Sequence, residues 1–420
     1  MGKKASAIGV GMVMLIMTTG PSLIGQGLII PGAGAVNRAM AGASTAAPVD
    51  PAGAAYWNPA AISGLPYSGL FLGSEFIKAD FRVASAVGVT GLSGETKSDS
   101  GVAVAPTIAI VNHINEKVTF AVGMFAALGG AVNFEGTDTN PILTPFDPPN
   151  TFGFGPQASN ASVLQIVPII SYRVTDKIAI GGGPTIDYFN LTLNPAFFAP
   201  RNANGTFPAA SNTKPTWGAG FQVGLFSEIN QNWNIGLSYK SEQWFQPFEY
   251  NSRNEIGQAL DLAFDLTIPQ IISAGVAYKV PGRATIAIDY HYLDYEGTDL
   301  LGDSPAEGGV GWESISAVAV GAQVQVRENV KLMGGYSYNQ NPVPEALTLF
   351  NVQLPAIIQH SASVGVEMVM GPMVSSSFTF VHSFENSIRG TVLQIPNSAV
   401  ELSGSINTLM FGIDFNLRRR

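Results

Sequence analysis

Apolar residues alternate with polar or small residues along most of the chain from about residue 67 onward. The segment 358–370 keeps this period of two over its whole length, and 233–240, 285–292 and 409–416 repeat it. Successive side chains of a β-strand point to opposite faces, so each segment would have one apolar face and one polar face. The pattern therefore predicts a succession of half-apolar β-strands.

The connections between these segments are alternately short and long. The short ones lie at 112–117, 174–177, 229–232, 279–283, 327–330 and 370–373. The long ones, rich in Pro, Gly, Asn and Phe, lie near 80–101, 135–160, 194–215, 247–262, 297–312, 340–357 and 386–401. Six short turns between seven long loops predict fourteen strands, with both chain ends on the short-turn side. An even number of strands with this asymmetry is typical of an outer-membrane barrel.

Composition favours a membrane barrel over a soluble sheet. Charged residues make up only 12% of the 420 residues, glycine occurs 47 times and the mean hydropathy is +0.22. Yet beyond the N-terminal region no run reaches the roughly 18 apolar residues of a membrane-spanning helix. A closed barrel pairs its backbone groups while showing lipid one face of each strand. We therefore expect an all-β fold, a transmembrane β-barrel of about 14 antiparallel strands.

The remaining composition excludes several kinds of site. The chain has no cysteine, which excludes disulfides and thiolate metal sites. Its formal net charge of −9 makes nucleic acid an unsuitable partner. The four histidines are scattered and none has a metal-ligand spacing. We expect no enzymatic activity, no catalytic residue, no metal and no cofactor.

The N-terminus has the features of a secretory signal. Lys3 and Lys4 precede a short apolar run, 7–17, and small residues follow at Gly25 and Gly27. The run is too short to span a membrane, so we predict a signal peptide over 1–27. Together with the barrel pattern it predicts location in a cell outer membrane.

A different kind of sequence separates the signal from the first strand. Residues 28–66 are rich in small residues and interrupted by Gly and Pro, with Ala39, Ala43 and Ala46 at helical spacing. We call this segment the hatch, because about forty residues before a barrel can fold back into its lumen as a small helical plug. The barrel itself would span 67–420.

Two motifs give the chain its resemblance to a known family. The first is in the hatch: Gly34, Arg38-Ala39, Gly42, Ala46, Asp50 and Asn58-Pro59-Ala60. The second is Gly335 to Pro344, which ends Pro-Val-Pro. Together they resemble the FadL/TodX-type outer-membrane transporters of hydrophobic compounds, over essentially the whole mature chain.

The resemblance implies a mechanism. Members of that family are not enzymes: extracellular loops capture a lipophilic molecule, which leaves sideways through an opening where the third strand is kinked. On this analogy Asn58, Pro59 and Ala60 would face the kink. The third strand, about 117–134, carries Gly129 and Gly130 as gate residues. Glycines inside a strand mark bends or bulges, although glycine is also simply common in this chain.

The predicted loops are unusually rich in phenylalanine. Phe152 and Phe154 lie in one loop and Phe197 and Phe198 in the next. We expect these four to bind substrate, since exposed apolar clusters usually form a ligand or partner surface. The alternative is that they pack the loops against each other or form an interfacial aromatic girdle.

A fatty acid would also need a cation near its carboxylate. Arg201, Lys214 and Arg253 are the candidates, each with a solvated surface charge as the alternative role.

These observations lead to one functional hypothesis with three alternatives. We predict passive outer-membrane transport of hydrophobic molecules, with long-chain fatty acids as the leading substrate. Uptake of aromatic or alkane hydrocarbons is the alternative within the same family, and a general porin for hydrophilic solutes or a structural or adhesive barrel are alternatives outside it. The expected partners are the hydrophobic substrate, outer-membrane lipid and lipopolysaccharide, and we expect a monomer.

Overall fold

The computed structural model describes residues 25–88, 90–148, 152–210, 214–393 and 395–419. Within them fourteen strands form the barrel, numbered here in chain order. They are β1 (Tyr67–Val87), β2 (Ala103–His113), β3 (Val118–Phe134), β4 (Gln157–Arg173), β5 (Ile178–Asn194), β6 (Thr216–Glu228), β7 (Trp233–Lys240), β8 (Ile271–Val280), β9 (Ala284–Leu293), β10 (Ile315–Arg327), β11 (Val330–Asn339), β12 (His360–Gly371), β13 (Val374–Gly390) and β14 (Ser398–Arg419).

The strands are antiparallel to their neighbours and close on themselves. β1 pairs with β14 along its whole length, from Tyr67 opposite Arg419 to Val87 opposite Ser398. All six predicted short turns join consecutive strands, so the predicted fold class is confirmed: a closed fourteen-stranded barrel. The short turns form the periplasmic end and the long connections the extracellular end.

The predicted long loops 80–101 and 386–401 are partly strand, because β1, β13 and β14 extend into them. β1 has 21 residues and β14 has 22, about twice the 9–11 that a tilted strand needs to cross a membrane. Their outer halves therefore stand above the lipid, where outward-facing residues are polar, and the sequence there looks like loop. For this reason the connection between β13 and β14 shrinks from the predicted 386–401 to 391–397.

Shorter strands extend the extracellular end. Leu92–Lys97 pairs with the outer half of β1. Gln243–Phe245 pairs with Thr267–Ile268, and Phe248–Arg253 forms a separate hairpin with Ala259–Phe264. These elements build the loop region above the barrel.

The described helices are all short. None of them is long and apolar enough to cross a membrane. They are α1 (Ala35–Ala39) and α2 (Pro51–Trp57), together with 3₁₀ turns that include Ala61–Gly64. The predicted signal peptide falls mainly on residues 1–24, which lie outside the described residues.

Local sequence fixes where α2 begins and ends. The Asp50 carboxylate caps its start by accepting a hydrogen bond from the Gly53 N–H at 2.7 Å, and Pro51 occupies the first turn. Asn58 is extended because the ring of Pro59 disfavours a helical conformation in the residue before it. The helix therefore stops at the Asn-Pro-Ala motif.

The hatch lies against the inner wall of the barrel on a seat of glycines. At each of these wall positions an added Cβ atom would overlap a hatch atom, so a larger residue would push the hatch away. The seat consists of Gly181, Gly224, Gly236, Gly275, Gly321, Gly335 and Gly365. Part of the glycine enrichment of the chain thus permits close contact between the wall and the small residues of the hatch.

Two adjacent glycines of β11 provide a matched test of this seat. A Cβ atom at Gly335 would lie 2.5 Å from the backbone nitrogen of Ala41, whereas one at Gly334 would meet only Ser363 O, at 3.7 Å. We predict that Gly335→Ala destabilises the protein by about 1–3 kcal/mol through overpacking, and that Gly334→Ala changes stability little. Thermal unfolding of both variants in detergent measures this, and equal midpoints would contradict the seat.

Candidate functional site: an apolar route to the barrel wall

The extracellular loops enclose an apolar cavity of about 130 Å³, here called the outer cavity. Its walls come from five loops and from the extracellular end of β5. The lining includes Phe154, Leu193, Phe197, Phe198, Arg201, Phe207, Leu300, Leu349, Phe350 and Leu354. Such a concave, mostly apolar surface with one charged group suits a hydrophobic or amphiphilic ligand.

Aromatic packing shapes the outer cavity. Phe197 makes edge-on contacts with Phe154, at 5.3 Å between ring centroids, and with Phe207, at 5.1 Å. Phe198 packs on Phe264 of the loop hairpin at 4.4 Å. The predicted residues Phe154, Phe197 and Phe198 are thus brought together, while Phe152 does not line the cavity and is buried in the apolar core beneath.

Arg201 is the cation of the outer cavity lining. Its guanidinium lies 4.2 Å from the centroid of the Phe207 ring and donates a hydrogen bond to Gly205 O at 2.6 Å. Desolvation by the surrounding rings lowers the pKa of Arg201, and arginine nevertheless keeps its charge in proteins. A partly desolvated cation over aromatic rings can bind an anionic headgroup while the rings bind its apolar tail.

The other two predicted cations lie elsewhere. Lys214 borders a separate, mostly polar cavity beside the loop hairpin, with Glu249 and Asp261. Arg253 lies at the tip of that hairpin and donates to Gly257 O at 2.7 Å. Of the three predicted cations, Arg201 therefore lines the outer cavity, and Lys214 and Arg253 do not.

A second apolar cavity, the inner cavity, continues from the first into the barrel. The two share Leu193, Leu300 and Leu354 in their linings. The inner cavity measures only about 20 Å³, the space of roughly one water molecule. Its complete lining is apolar: Leu28, Leu128, Ala161, Phe189, Leu191, Leu193, Leu266, Leu300, Leu301 and Leu354.

The inner cavity reaches the barrel wall at a β-bulge in β3. The pairing of β3 with β4 shifts by one residue between Ala126 and Leu128, and both Ala127 and Leu128 are buried. A bulge of this kind bends a strand and interrupts its ladder. This bulge lies directly before Gly129 and Gly130, in the strand where the resemblance implies a kink.

The neighbouring strand leaves β3 at the same level. β2 pairs with β3 from His113 opposite Thr119 only as far as Thr107 opposite Phe125, although β2 continues to Ala103. The next residue is Pro106, which has no N–H to donate and is at home on a free strand edge. Beyond this point the described part of the chain has no ladder pairing between β2 and β3, and we call this interruption of the wall the gap. Pro106 is therefore a second sequence signal for this gap, besides Gly129 and Gly130 of β3.

Hatch residues cover the free edge of β3. Ile29 forms an antiparallel bridge with Leu128. Ile30 N–H donates to Ala127 O at 3.1 Å and Gly129 N–H donates to Leu28 O at 3.4 Å. We call Leu28–Ile30 the covering segment, since it acts as a short extra strand where β2 no longer reaches.

The expectation that Asn58, Pro59 and Ala60 face the kink is wrong. Asn58 Nδ2 donates to Thr45 O at 2.8 Å within the hatch and to Leu225 O of β6 at 3.0 Å. The glycines of β5 and β6 leave room for Asn58 and Pro59, and β4 contacts Ala60 through the Ser171 hydroxyl. The motif therefore fastens the hatch to the wall formed by β4–β7, where Gly181 and Gly224 leave room for it.

Further polar contacts hold the body of the hatch. One Asp289 carboxylate oxygen of β9 accepts hydrogen bonds from the Ser44 and Thr45 N–H groups, each at 2.7 Å. Arg38 of α1 lies 3.6 Å from the Glu75 carboxylate of β1, and both side chains are almost fully buried. Since a buried charge is costly without its partner, these contacts keep the hatch body in place.

A polar layer lies on the periplasmic side of the inner cavity. Lys240 Nζ donates to Gln165 Oε1 at 3.1 Å, and Gln165 Nε2 donates to Asp187 Oδ1 at 2.8 Å. The same ammonium lies 4.5 Å from the centroid of the Tyr56 ring of α2. Lys240 is an interior cation that the search of the loop sequences missed. Asp187 lies two residues before Phe189 on β5, that is, closer to the periplasmic end. The apolar lining of the inner cavity therefore ends at this polar layer, and its wall-side residue is Leu128 of β3.

We predict that replacing Asn58 and Pro59 together by Ala lowers the expected uptake of hydrophobic compounds without unfolding the barrel. The double substitution removes both Asn58 Nδ2 hydrogen bonds, so the hatch is no longer held in register with the covering segment. Uptake at matched surface abundance, with Asn230→Ala in a periplasmic turn as the control, measures the effect. Wild-type uptake by the double variant would refute this role.

Several solved structures share this architecture. The Pseudomonas putida toluene transporter TodX is similar at a TM-score of 0.69 and 18% identity, covering 93% of this chain and 100% of that one. A Pseudomonas aeruginosa FadL homologue gives a TM-score of 0.72 at 14% identity, with coverages of 93% and 100%. The Ralstonia pickettii toluene transporter TbuX gives 0.63 at 18% identity, with 93% and 98%. At these identities the likeness concerns the fold.

Sequence comparison supplies the family. No curated protein matches the chain. The family model described as outer membrane protein transport protein (OMPP1/FadL/TodX) matches residues 22–416, nearly the whole chain. With this match and the closed fourteen-stranded barrel, the chain belongs to the FadL/TodX family of outer-membrane transport proteins, which are channels for hydrophobic compounds and not enzymes.

Proposed function

We propose that this protein takes up long-chain fatty acids, which the extracellular loops capture and which leave sideways through the gap between β2 and β3. The observation that carries the proposal is the continuity of the apolar lining. Leu193, Leu300 and Leu354 belong to both cavities, and Leu28 and Leu128 belong to both the inner cavity and the covered edge of β3.

Lateral exit is the route that the chemistry favours. Below the inner cavity a hydrophobic molecule would meet the Lys240–Gln165–Asp187 layer and then the hatch body, with its buried polar contacts. Displacing hydrogen-bonded polar groups without replacing their partners costs free energy. At the gap the molecule would meet Leu128 and Ala127 of β3, both apolar, before the lipid.

The covering segment would have to move for passage. The inner cavity, at about 20 Å³, is far too small for an acyl chain. Leu28 lines this cavity and lies beside the two backbone hydrogen bonds that join the covering segment to β3. Displacing Leu28–Ile30 would enlarge the cavity and uncover the gap in one movement. The structure with the segment in place is then the closed state.

Arg201 favours a fatty acid among hydrophobic substrates. Its guanidinium lies in the outer cavity beside the phenylalanine rings, so a carboxylate could pair with it while the acyl chain enters the apolar lining. A neutral hydrocarbon would gain nothing from this charge.

Aromatic or alkane hydrocarbons are the second candidate. The inner cavity supports them, because none of its lining residues is polar or charged. A general porin for hydrophilic solutes fits less well, since the hatch fills the described interior and both cavities on the route are apolar.

The substrate can be tested with labelled oleate and labelled toluene in cells with and without the protein. We predict protein-dependent oleate uptake, and we predict that Arg201→Gln raises the half-saturating oleate concentration by about tenfold, the loss of one charge-assisted contact. Arg253→Gln is the matched control for a loop cation outside the cavity. Toluene uptake without oleate uptake would assign hydrocarbons instead, and uptake of neither would return the porin and adhesin alternatives.

The exit can be tested with an engineered disulfide. Ile29 and Leu128 are the directly opposed, non-hydrogen-bonded pair of an antiparallel bridge, whose Cα atoms lie about 4.5 Å apart, within disulfide range. The natural chain has no cysteine, so Ile29→Cys with Leu128→Cys would form one defined crosslink. We predict that oxidation of the double variant abolishes uptake and that a reductant restores it.

Each single cysteine variant controls for the loss of the apolar side chain. Both should be insensitive to oxidant and reductant. Full uptake by the oxidised, crosslinked double variant would exclude this exit.

A further inference from the structure

One tyrosine hydroxyl holds the start of the covering segment. Tyr295 follows β9, which ends at Leu293, and its side chain is fully buried. The Tyr295 hydroxyl donates a hydrogen bond to Gln26 O at 2.7 Å and accepts one from Leu28 N–H at 3.2 Å. A single side chain thus bridges two backbone groups of the hatch at the point where the covering segment begins.

Gly27, between these two residues, permits the bridge. Its φ is +74°, and a Cβ atom there would lie 2.4 Å from the Tyr295 hydroxyl oxygen. Glycine alone tolerates this backbone conformation together with so close an approach. Cleavage of the predicted signal peptide after either Gly25 or Gly27 leaves Leu28 in the mature chain, so its nitrogen is there to donate in both cases.

A second tyrosine holds the other end of the covering segment from the hatch body. The hydroxyl of Tyr56 in α2 donates to Ile30 O at 2.6 Å. The two tyrosines make the same kind of contact with the same segment, but Tyr295 belongs to the β9–β10 loop, residues 294–314. Unlike α2, this loop contributes to the linings of both the outer and the inner cavity.

Packing joins Tyr295 to the cavity-lining part of its loop. Its ring contacts Trp312 edge-on, at 5.1 Å between ring centroids. Trp312 N–H donates to Leu301 O at 2.7 Å, and Val310 N–H donates to Leu300 O at 2.9 Å. Leu300 lines both cavities, Val310 the outer one and Leu301 the inner one. A displacement of these lining residues would therefore reach Tyr295 through Trp312.

The β11–β12 loop, residues 340–359, is fastened to the same tryptophan. The Trp312 indole N–H donates to Asn351 Oδ1 at 2.5 Å, and Asn351 Nδ2 donates to Val310 O at 3.0 Å. Leu349 and Leu354 of this loop line the outer cavity. Two of the loops that enclose the outer cavity thus meet at the residue that supports the Tyr295 ring.

Leu300 is held in a strained backbone conformation. Its φ of +65° is one that an L side chain rarely adopts, because Cβ then crowds the following carbonyl oxygen. Strain of this kind persists only while the surrounding contacts impose it. Here they include hydrogen bonds from Leu300 N–H to Asp303 Oδ2 and from Val310 N–H to Leu300 O, each at 2.9 Å. Pushing Leu300 aside would relieve the strain, which favours movement of the loop.

A ligand on the proposed route would have to push Leu300 aside. The outer cavity, at about 130 Å³, is smaller than the roughly 300–1,000 Å³ of ordinary ligand pockets, so its loops must separate to admit a hydrophobic molecule. Leu300 and Leu354 border both cavities and would be displaced as the molecule passes from one to the other.

We propose that Tyr295 is the latch of the covering segment and that filling of the outer cavity releases it. The ligand separates the loops, Leu300 and Trp312 move, and the Tyr295 hydroxyl leaves Leu28. Tyr295 is a positioning residue, because it contacts the covering segment and not the substrate. The inference rests on the proposed lateral exit and adds its regulation: the wall opens only when a hydrophobic molecule is present to fill the space.

Hydrogen–deuterium exchange of the protein in detergent, resolved to single residues by mass spectrometry, tests the latch. The reporters are Ile30 N–H and Gly129 N–H, which bond to Ala127 O and Leu28 O and not to Tyr295. Local opening of the covering segment exposes both amides, so their exchange rates follow the open population.

The test variant is Tyr295→Phe, which keeps the ring on Trp312 and removes the hydroxyl. The matched control is Tyr56→Phe, which removes the equivalent hydroxyl contact from the hatch body. Equal exchange of β14 peptides in all proteins establishes that the barrel is folded, and the intact mass gives the start of the mature chain.

Without ligand, we expect both reporter amides to exchange about tenfold faster in Tyr295→Phe than in wild type, through the loss of the latch hydrogen bonds. Oleate should accelerate exchange in wild type and in Tyr56→Phe, but have no further effect in Tyr295→Phe, where the latch is already open. Toluene is the second probe. Acceleration by toluene alone would support the latch while assigning hydrocarbons as the substrate.

Unchanged exchange of both reporters in Tyr295→Phe would overturn the latch. An equal response to oleate in Tyr295→Phe and wild type would overturn its coupling to the outer cavity, as would a wild type that responds to neither probe. None of these measurements involves transport. A failure of labelled oleate uptake with an intact latch would therefore count against the proposed function alone.

Discussion

The architecture depends on one constraint: a backbone hydrogen-bonding group facing hydrocarbon has no water to bond to. Barrel closure satisfies this constraint along most of the wall, since β1 pairs with β14 from end to end. Where β2 stops pairing at Thr107, the edge of β3 would lack partners, and the covering segment supplies two of them. A transporter with a lateral exit, as proposed here, would need a removable strand at this edge, and Leu28–Ile30 is the segment that pairs with it.

The hatch is fastened unevenly, which decides which part can move. Its body is held by the glycine seat, by the two N–H groups on Asp289, by the buried Arg38–Glu75 contact and by the Asn58 amide. The covering segment is joined to β3 by two backbone hydrogen bonds, each with a net contribution of about 1 kcal/mol. Opening the segment therefore costs far less than removing the hatch. On the proposed route, the small residues of the hatch and the glycines of the wall would serve the part that stays in place, and Leu28, Ile29 and Ile30 the part that moves.

The sequence predicts the barrel wall better than the functional site. The wall follows from patterns that are local in the sequence, whereas the site depends on contacts between distant segments. Alternation and turn residues are local, so all six short turns and the strand count follow from them. The direction in which Asn58 points depends on which strands carry glycine at its level, which no local pattern shows. Phe152 and Phe154 illustrate the same limit: two residues apart in one loop, one is in the core and the other lines the outer cavity. Lys240 carried no signal in the sequence because its neighbours Gln165, Asp187 and Tyr56 come from distant segments.

Different features of the proposed route would select the class of substrate and the individual substrate within that class. Transfer into an apolar lining is non-directional and depends mainly on buried area. Once enlarged as proposed, the leucine-rich inner cavity would therefore accept an acyl chain or an aromatic ring on similar terms. Discrimination between them requires a group that responds to charge, and along the outer cavity Arg201 is that group. If Arg201 pairs with the substrate carboxylate as proposed, a channel of this design would change its preference between acids and neutral hydrocarbons through a single loop residue. The hatch, the bulge and the gap would remain the same, because they respond only to the hydrophobicity that both substrates share.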